Sequence, residues 1–303
     1  MKNNNNKKHI LVIGGTGFIG HHILKKAKKL KWRLTSVSLH KPRISRYIKG
    51  VKYLKINIAN KKEIEKKLKS NFSYVVNLAG QSKNVFLLSK KKEIYRTQLI
   101  GSKNLMNFFL KKKIKKFIQI GSAAEYGSIK VPHSENNRCI PRSYYGKTKL
   151  GATKHLINLY EKESFPGLVI RLFQVYGTKQ DQDKIIPYII KNCIKNKNFG
   201  LSKGNQIRDF CFIDDVVRAI FLLLKKNNLE GEIFNVGLGK SISIKKLTYL
   251  IKKTAGKGKP EFGLIKLKKN EIIKSQACIN KIRKKTGWYP KINLKKGLGL
   301  MLK

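Results

Sequence analysis

The sequence predicts an α/β fold built on a doubly wound parallel sheet, with a smaller C-terminal lobe. Three observations lead there. Short apolar runs alternate with longer helical stretches from His9 to Leu172, the pattern of parallel strands joined by right-handed helical crossovers. A turn of four glycines in seven residues, Gly14-Gly15-Thr16-Gly17-Phe18-Ile19-Gly20, separates the first run from the first helix. Beyond Phe173 the rhythm becomes irregular and richer in Gly, Pro and Lys, as in a loop-rich lobe.

Taken in order, His9–Ile13 is a buried strand, Phe18–Leu30 a helix, and Leu34–Leu39 and Lys52–Ile58 are strands. Lys61–Lys69 is a helix, Tyr74–Leu78 a strand, Ser89–Leu110 one long helix, and Phe117–Ile120 a strand. Tyr145–Tyr160 is a helix and Leu168–Leu172 a strand, while Phe210–Ile213 and Ile233–Val236 look like strands returning to the sheet region. The expected organisation is a disordered polar tail over 1–8 and a dinucleotide-binding domain over 9–175, joined again by 211–237. The substrate-binding lobe then comprises 176–210 and 238–303.

Composition narrows the function classes. The chain has 303 residues, 68 Lys+Arg and 16 Asp+Glu, a net charge of +52. Such an excess points towards nucleic acid or an anionic membrane, but the lysines are spread along the whole chain. Lys, Asn and Ile, all encoded by A/T-rich codons, are abundant together. A compositional drift that loads solvated faces with Lys accounts for this, so nucleic acid is not the expected partner. No apolar run reaches the roughly 18 residues of a membrane span. Cys139, Cys193, Cys211 and Cys278 lie far apart, against both a zinc site and a disulfide framework. The apolar stretch after Lys8 breaks at once into glycines, unlike an export signal. A cytoplasmic protein without metal is expected.

The glycine turn is where chemistry first enters. Glycines close a tight strand-to-helix turn and let a pyrophosphate approach the amides at the helix N-terminus. Gly14, Thr16, Gly17, Phe18, Ile19 and Gly20 are therefore candidate dinucleotide contacts, and the fold becomes Rossmann-type. An acid about 20 residues later would hold the ribose 2′-hydroxyl of NAD. No Asp or Glu occurs before Glu63, whereas Lys41 and Arg43 follow the second strand. Those cations suit a 2′-phosphate, which favours NADP(H) and leaves NAD(H) open. Tyr145 and Lys149, four apart on a helix, share a face, and a nearby ammonium favours the phenolate needed for proton exchange. The spacing alone decides nothing, because Tyr126/Lys130 and Tyr249/Lys253 match it too. Tyr145 is distinguished by opening a helix after the strand that precedes Ser122, on the side of the sheet where ligands bind.

These residues resemble the extended short-chain dehydrogenase/reductases of the NAD-dependent epimerase/dehydratase group, which act on nucleotide sugars. The likeness is carried by the glycine turn, Asn77-Leu78-Ala79-Gly80, Gly121 through Gly127, Ser143 through Lys149 and Arg171 through Gly177. Arg208 through Asp215, Phe234 through Gly237, and Gly287-Trp288-Tyr289-Pro290 complete it. Three of the five aspartates fall at 209, 214 and 215 despite the drift against acids.

The resemblance implies hydride transfer at sugar C4 with Tyr145 as acid/base. It also implies Lys149 on the nicotinamide ribose, Ala79 beside the cofactor, Ser122 on the C4 oxygen, and Ala124, Gln174 and Arg208 towards substrate. Arg208 reads otherwise as an ion pair with Asp209 or Asp214. Family dehydratases carry an acid pair directly after the Ser/Thr, where Ala123 and Ala124 stand here. Epimerase–reductases of fucose nucleotides place a Cys at the position of Ala124, and Gln174 replaces an Asn. Simple reduction of a nucleotide-linked 4-keto-6-deoxyhexose is what remains. The stretch from Phe262-Gly263 to Asn270-Glu271 resembles such reductases, with Lys268 in place of an Arg. A nucleotide-sugar 4-epimerase is the alternative reading, and an idle scaffold binding RNA a second. The helices Ser89–Leu110 and Tyr145–Tyr160 resemble those that pair in the family's dimers, so a homodimer is expected.

Overall fold

The computed structural model describes residues 7–69, 71–80, 91–267 and 271–302. Most of the polar tail, the first residues of the Ser89–Leu110 helix, and Lys268 and Asn270 lie outside the described residues.

β1 (His9–Ile13) is buried along its whole length, as a strand covered on both faces must be. α1 (Phe18–Lys29) follows and buries Ile23, Leu24 and Ala27 as one stripe. The alternation continues through β2 (Arg33–Ser38), β3 (Lys52–Lys55), α2 (Lys61–Lys67), β4 (Tyr74–Asn77), α3 (Lys91–Ile94) and α4 (Gly101–Leu110). β5 (Lys116–Ser122), α5 (Tyr144–Glu163) and β6 (Gly167–Leu172) come next. The rest comprises β7 (Gln174–Tyr176), α6 (Ile185–Ile194), β8 (Asn198–Leu201), β9 (Ile207–Phe212), α7 (Ile213–Lys225) and β10 (Ile233–Val236). It ends with β11 (Ser241–Ser243), α8 (Ile244–Ala255), β12 (Lys259–Phe262), α9 (Asn280–Thr286) and α10 (Leu294–Leu302).

Seven parallel strands form the main sheet in the order β10-β6-β5-β4-β1-β2-β3. Successive residues alternate faces. Leu11, Val75, Phe117 and Val169 pack in the core on one side, and Ile10, Val12, Ile118 and Ile170 in the core on the other. The order of the strands reverses between β1 and β4. Connections there leave in opposite directions and open a crevice at the strands' carboxyl ends.

Three elements differ from expectation, each for a physical reason. β5 runs on to Ser122, because Gly121 and Ser122 still have partners in Arg171 and Leu172 of β6. The helix expected over Ser89–Leu110 contains a π turn at Tyr95–Ile100, between α3 and α4. The extra residue in that turn lets buried Gln98 accept from Thr148 Oγ1 at 3.0 Å while Gly101 packs on Ile58. Of the two later strands, β10 pairs with β6 and closes that edge of the main sheet. β9 joins β7 and β11 in a separate three-stranded sheet, and Ile213 opens α7 instead of ending the strand.

Candidate active site

The glycine turn forms one wall of a cavity of about 900 Å³ at the β1/β4 crevice. Its closeness depends on Gly14 and Gly20. Gly14 has φ +79°, and a Cβ on Gly20 would stand 2.3 Å from the Gly14 carbonyl oxygen. No L side chain fits there, so α1 begins hard against the end of β1, at the cavity wall, where its first amides have no intrahelical partner. Gly14, Thr16, Gly17, Phe18, Ile19 and Gly20 all line the cavity. α1 has no side-chain cap at its N-terminus and no acid in its first turn, which leaves the positive end of the helix to an anion. A dinucleotide pyrophosphate fits this cradle. β2 ends beside it in Ser38, whose Oγ lies 3.4 Å from the Thr16 amide.

On the opposite wall the chain brings Ser122, Tyr145 and Lys149 together. α5 starts with Ser143 as its cap, the hydroxyl accepting from the Gly146 amide at 3.0 Å. Gly146 permits close approach, since a Cβ there would lie 2.4 Å from the Ala124 carbonyl oxygen. The first turn of α5 therefore sits directly on the loop after Ser122. Lys149 is buried on the sheet-facing side of the helix, its ammonium donating to Ile120 O at 3.0 Å and Ala79 O at 3.2 Å. It stands 6.0 Å from the centre of the Tyr145 ring. Burial brings the Lys149 ammonium down to about 8 against the pull of Glu125. Burial also pushes the Tyr145 phenol up, opposed by its hydrogen bond with Ser122.

The other two Tyr-x-x-x-Lys pairs are elsewhere. Tyr126 is fully buried with its hydroxyl on Asn235 Oδ1 at 2.8 Å, and Tyr249 is exposed on α8.

Ala79, Ala124, Gln174 and Arg208 also line the cavity. Arg208 does not pair with Asp209 or Asp214. Its guanidinium reaches Glu271 Oε1 at 2.5 Å and the carbonyls of Ile207 and Ile273. Asp209 instead accepts amides from Leu238, Gly239 and Ala277 at 2.6, 2.9 and 3.0 Å, and Asp215 those of Lys291 and Ile292. Burial raises Asp209 to about 6 despite those three donors. Two of the aspartates concentrated in this segment thus tie later loops to β9 and α7. Lys41 and Arg43 do not line the cavity: Lys41 is exposed, and Arg43 pairs with Asp181 at 3.0 Å.

Three carboxylates at or near the site were not singled out from sequence. Asp181 and Asp183, which line the cavity, and Glu125 were each findable as rare acids in a Lys-rich chain, and Ser122-x-x-Glu125 has capping-box spacing. Glu125 is completely buried. It accepts from the Ser122 amide at 2.8 Å, Thr153 Oγ1 at 3.0 Å and Arg171 Nε at 2.9 Å. Among the described residues no cluster of His, Cys, Asp and Glu could hold a metal, and no helix is long and apolar enough to cross a membrane.

A doubly wound sheet with an uncapped glycine turn at its switch point defines a Rossmann-type, dinucleotide-binding α/β protein. More narrowly, the chain belongs to the NAD dependent epimerase/dehydratase family, whose model matches residues 10–237. Among curated proteins it is similar to CDP-abequose synthase of Salmonella muenchen, 29% identical over 300 residues and 97% of each chain. It is equally similar to a putative UDP-glucose 4-epimerase of Methanocaldococcus jannaschii, 29% identical over 95% of each. Among solved structures, the UDP-glucose 4-epimerase of Thermotoga maritima with UDP-glucose superposes with a TM-score of 0.91, at 27% identity over 97% of both chains.

Proposed function

We propose that the chain is an NADPH-dependent reductase of a nucleotide-linked 4-keto-6-deoxyhexose. The observation that carries this reading is the composition of one wall. Ser122, Tyr145 and Lys149 face the cavity together, while Ala123 and Ala124 occupy the two positions after Ser122. A hydroxyl, a phenol and an ammonium suffice to reduce a ketone; expelling a C6 hydroxyl needs a carboxylic acid that these alanines cannot supply. The likeness to a synthase of a CDP-linked sugar supports a nucleotide-sugar substrate.

When bound, the nicotinamide supplies hydride chemistry at C4. Tyr145 gives the proton that the C4 oxygen takes up, Ser122 hydrogen-bonds that oxygen, and Lys149 faces the ribose while its charge steadies the developing phenolate. Arg208 meets the substrate diphosphate. NADP(H) is favoured because β2 carries no acid of its own at its end, and the cations Lys41 and Arg43 follow it in the chain. A homodimer through α4 and α5 belongs to the same reading.

The likeness to UDP-glucose 4-epimerases favours one second reading, a 4-epimerase that retains its dinucleotide through turnover. A panel of nucleotide 4-keto sugars separates the two. Stoichiometric NADPH oxidation is expected with at least one of them; interconversion of C4 epimers without net oxidation would establish the alternative.

The pH profile is a further expected result. Tyr145, with its pKa raised, remains protonated through neutrality and is ready to act as an acid. Lys149 is the group that changes charge, losing its proton as pH rises through about 8. In the reductive direction kcat/KM should stay level around neutrality and fall above about pH 8, since that ratio reports the free enzyme. A profile still level a full unit higher would remove Lys149 from this role.

A further inference from the structure

We propose that Asp181 sets how strongly this groove discriminates between dinucleotides with and without a 2′-phosphate. The assignment rests on the reading of the groove as a dinucleotide site and deepens it. Where β2 ends, Ser38, Leu39 and His40 line the cavity and offer no carboxylate. Two acids from the segment after β7, Asp181 and Asp183, nevertheless stand in the wall, and Asp181 is the one paired with the arginines that follow β2. It accepts from Arg43 Nη1 and Arg46 Nη2, each at 3.0 Å.

The surroundings hold this acid in place. Arg46 also donates to the Lys179 carbonyl, and the Lys179 amine donates to Ser45 O at 2.6 Å. A His22 ring nitrogen on α1 lies 2.9 Å from the Thr178 carbonyl oxygen. The segment carrying Asp181 is therefore clasped both to the loop after β2 and to the helix behind the glycine turn. These are the two elements between which an adenosine ribose lies in a fold of this kind.

The consequence is electrostatic. A 2′-phosphate entering here is attracted by Arg43, but Asp181 already occupies that guanidinium and repels the newcomer. A 2′-hydroxyl suffers no repulsion and can donate to a carboxylate. The two arginines differ in freedom: the Arg43 side chain is 65% exposed and able to swing towards a phosphate, whereas Arg46 is 7% exposed and fixed. Asp181 is thus the counterweight to the cations that favour NADP(H), and Arg43 is the partner it withholds.

Calorimetric titration of NADPH and of NADH into wild-type protein, D181N and R43Q at low ionic strength tests this directly. D181N is expected to tighten NADPH relative to NADH by about five- to tenfold, and R43Q to move the ratio the opposite way by a similar factor. A ratio in D181N within about twofold of wild type overturns the assignment, as does equal tightening of both cofactors. Should D181N fail to fold, exposed Arg43 decides alone, and an unchanged ratio in R43Q overturns it. Wild-type protein that binds neither dinucleotide defeats this assignment together with the functional reading beneath it. An unchanged ratio in protein that binds both defeats this assignment only.

Discussion

Replacing Tyr145 by Phe is expected to lower turnover about a thousandfold and to leave dinucleotide affinity within about twofold of wild type. The split follows from where the phenol stands. Its ring lines the cavity, its oxygen meets Ser122, and Gly146 beside it lets α5 rest on the Ala124 carbonyl. None of the contacts that place the helix uses the phenolic oxygen. Phe therefore keeps the backbone, the Ser143 cap and the Lys149 ammonium where they are, and removes only the proton. Paired measurements of kcat and of cofactor Kd by fluorescence titration check this. A variant that turns over at the wild-type rate would take the acid/base step away from Tyr145; one that loses cofactor binding in parallel would make the residue a structural support.

Much of this site was legible because its parts are local. The glycine turn, Ser122 after a strand, and Tyr145 with Lys149 on one helix face are each read within a few residues. Neighbouring strands then bring them to one crevice by topology alone. What was not legible depends on partners far away in the chain. Arg208 finds Glu271 instead of the adjacent Asp209, because Asp209 turns to three backbone amides of the later loops. β9 reads as a buried apolar strand whichever sheet it joins; its place beside β7 follows from β10 taking the edge of β6. The π turn at Tyr95–Ile100 leaves no compositional mark, since its cause is the fit of Gln98 to Thr148 and of Gly101 to Ile58. Arg43 is cationic and close to β2, as the sequence suggests, yet its direction is set by Asp181.

Glu125→Gln should destabilise the protein by about 3–5 kcal/mol, the cost of leaving one member of a buried ion pair without its counter-charge. Glu125 has no exposure, and Arg171, its partner at 2.9 Å, is almost equally buried. Arg171 also lies over the Tyr126 ring, 4.6 Å from its centre, and the other carboxylate that feels its charge, Glu135, is engaged by the Asn235 amide at 2.7 Å. The amide of Gln keeps the shape and can still accept from one neighbour, but the charge is gone. Urea denaturation should show the midpoint falling at constant slope. Arg171→Met combined with Glu125→Gln should recover a large part of the loss, because a neutral Met–Gln pair leaves no uncompensated charge in the pocket. The same substitution reaches the active site through one bond. The Ser122 amide donates to Glu125 at 2.8 Å, within the turn that carries Ala123 and Ala124 past Tyr145. In the folded fraction turnover should fall while cofactor Kd holds, since the glycine turn lies on a different strand. Full stability in the single variant would mean that the Glu125–Arg171 pair gains nothing from its charge, and the rigidity of the Ser122 turn would need another source.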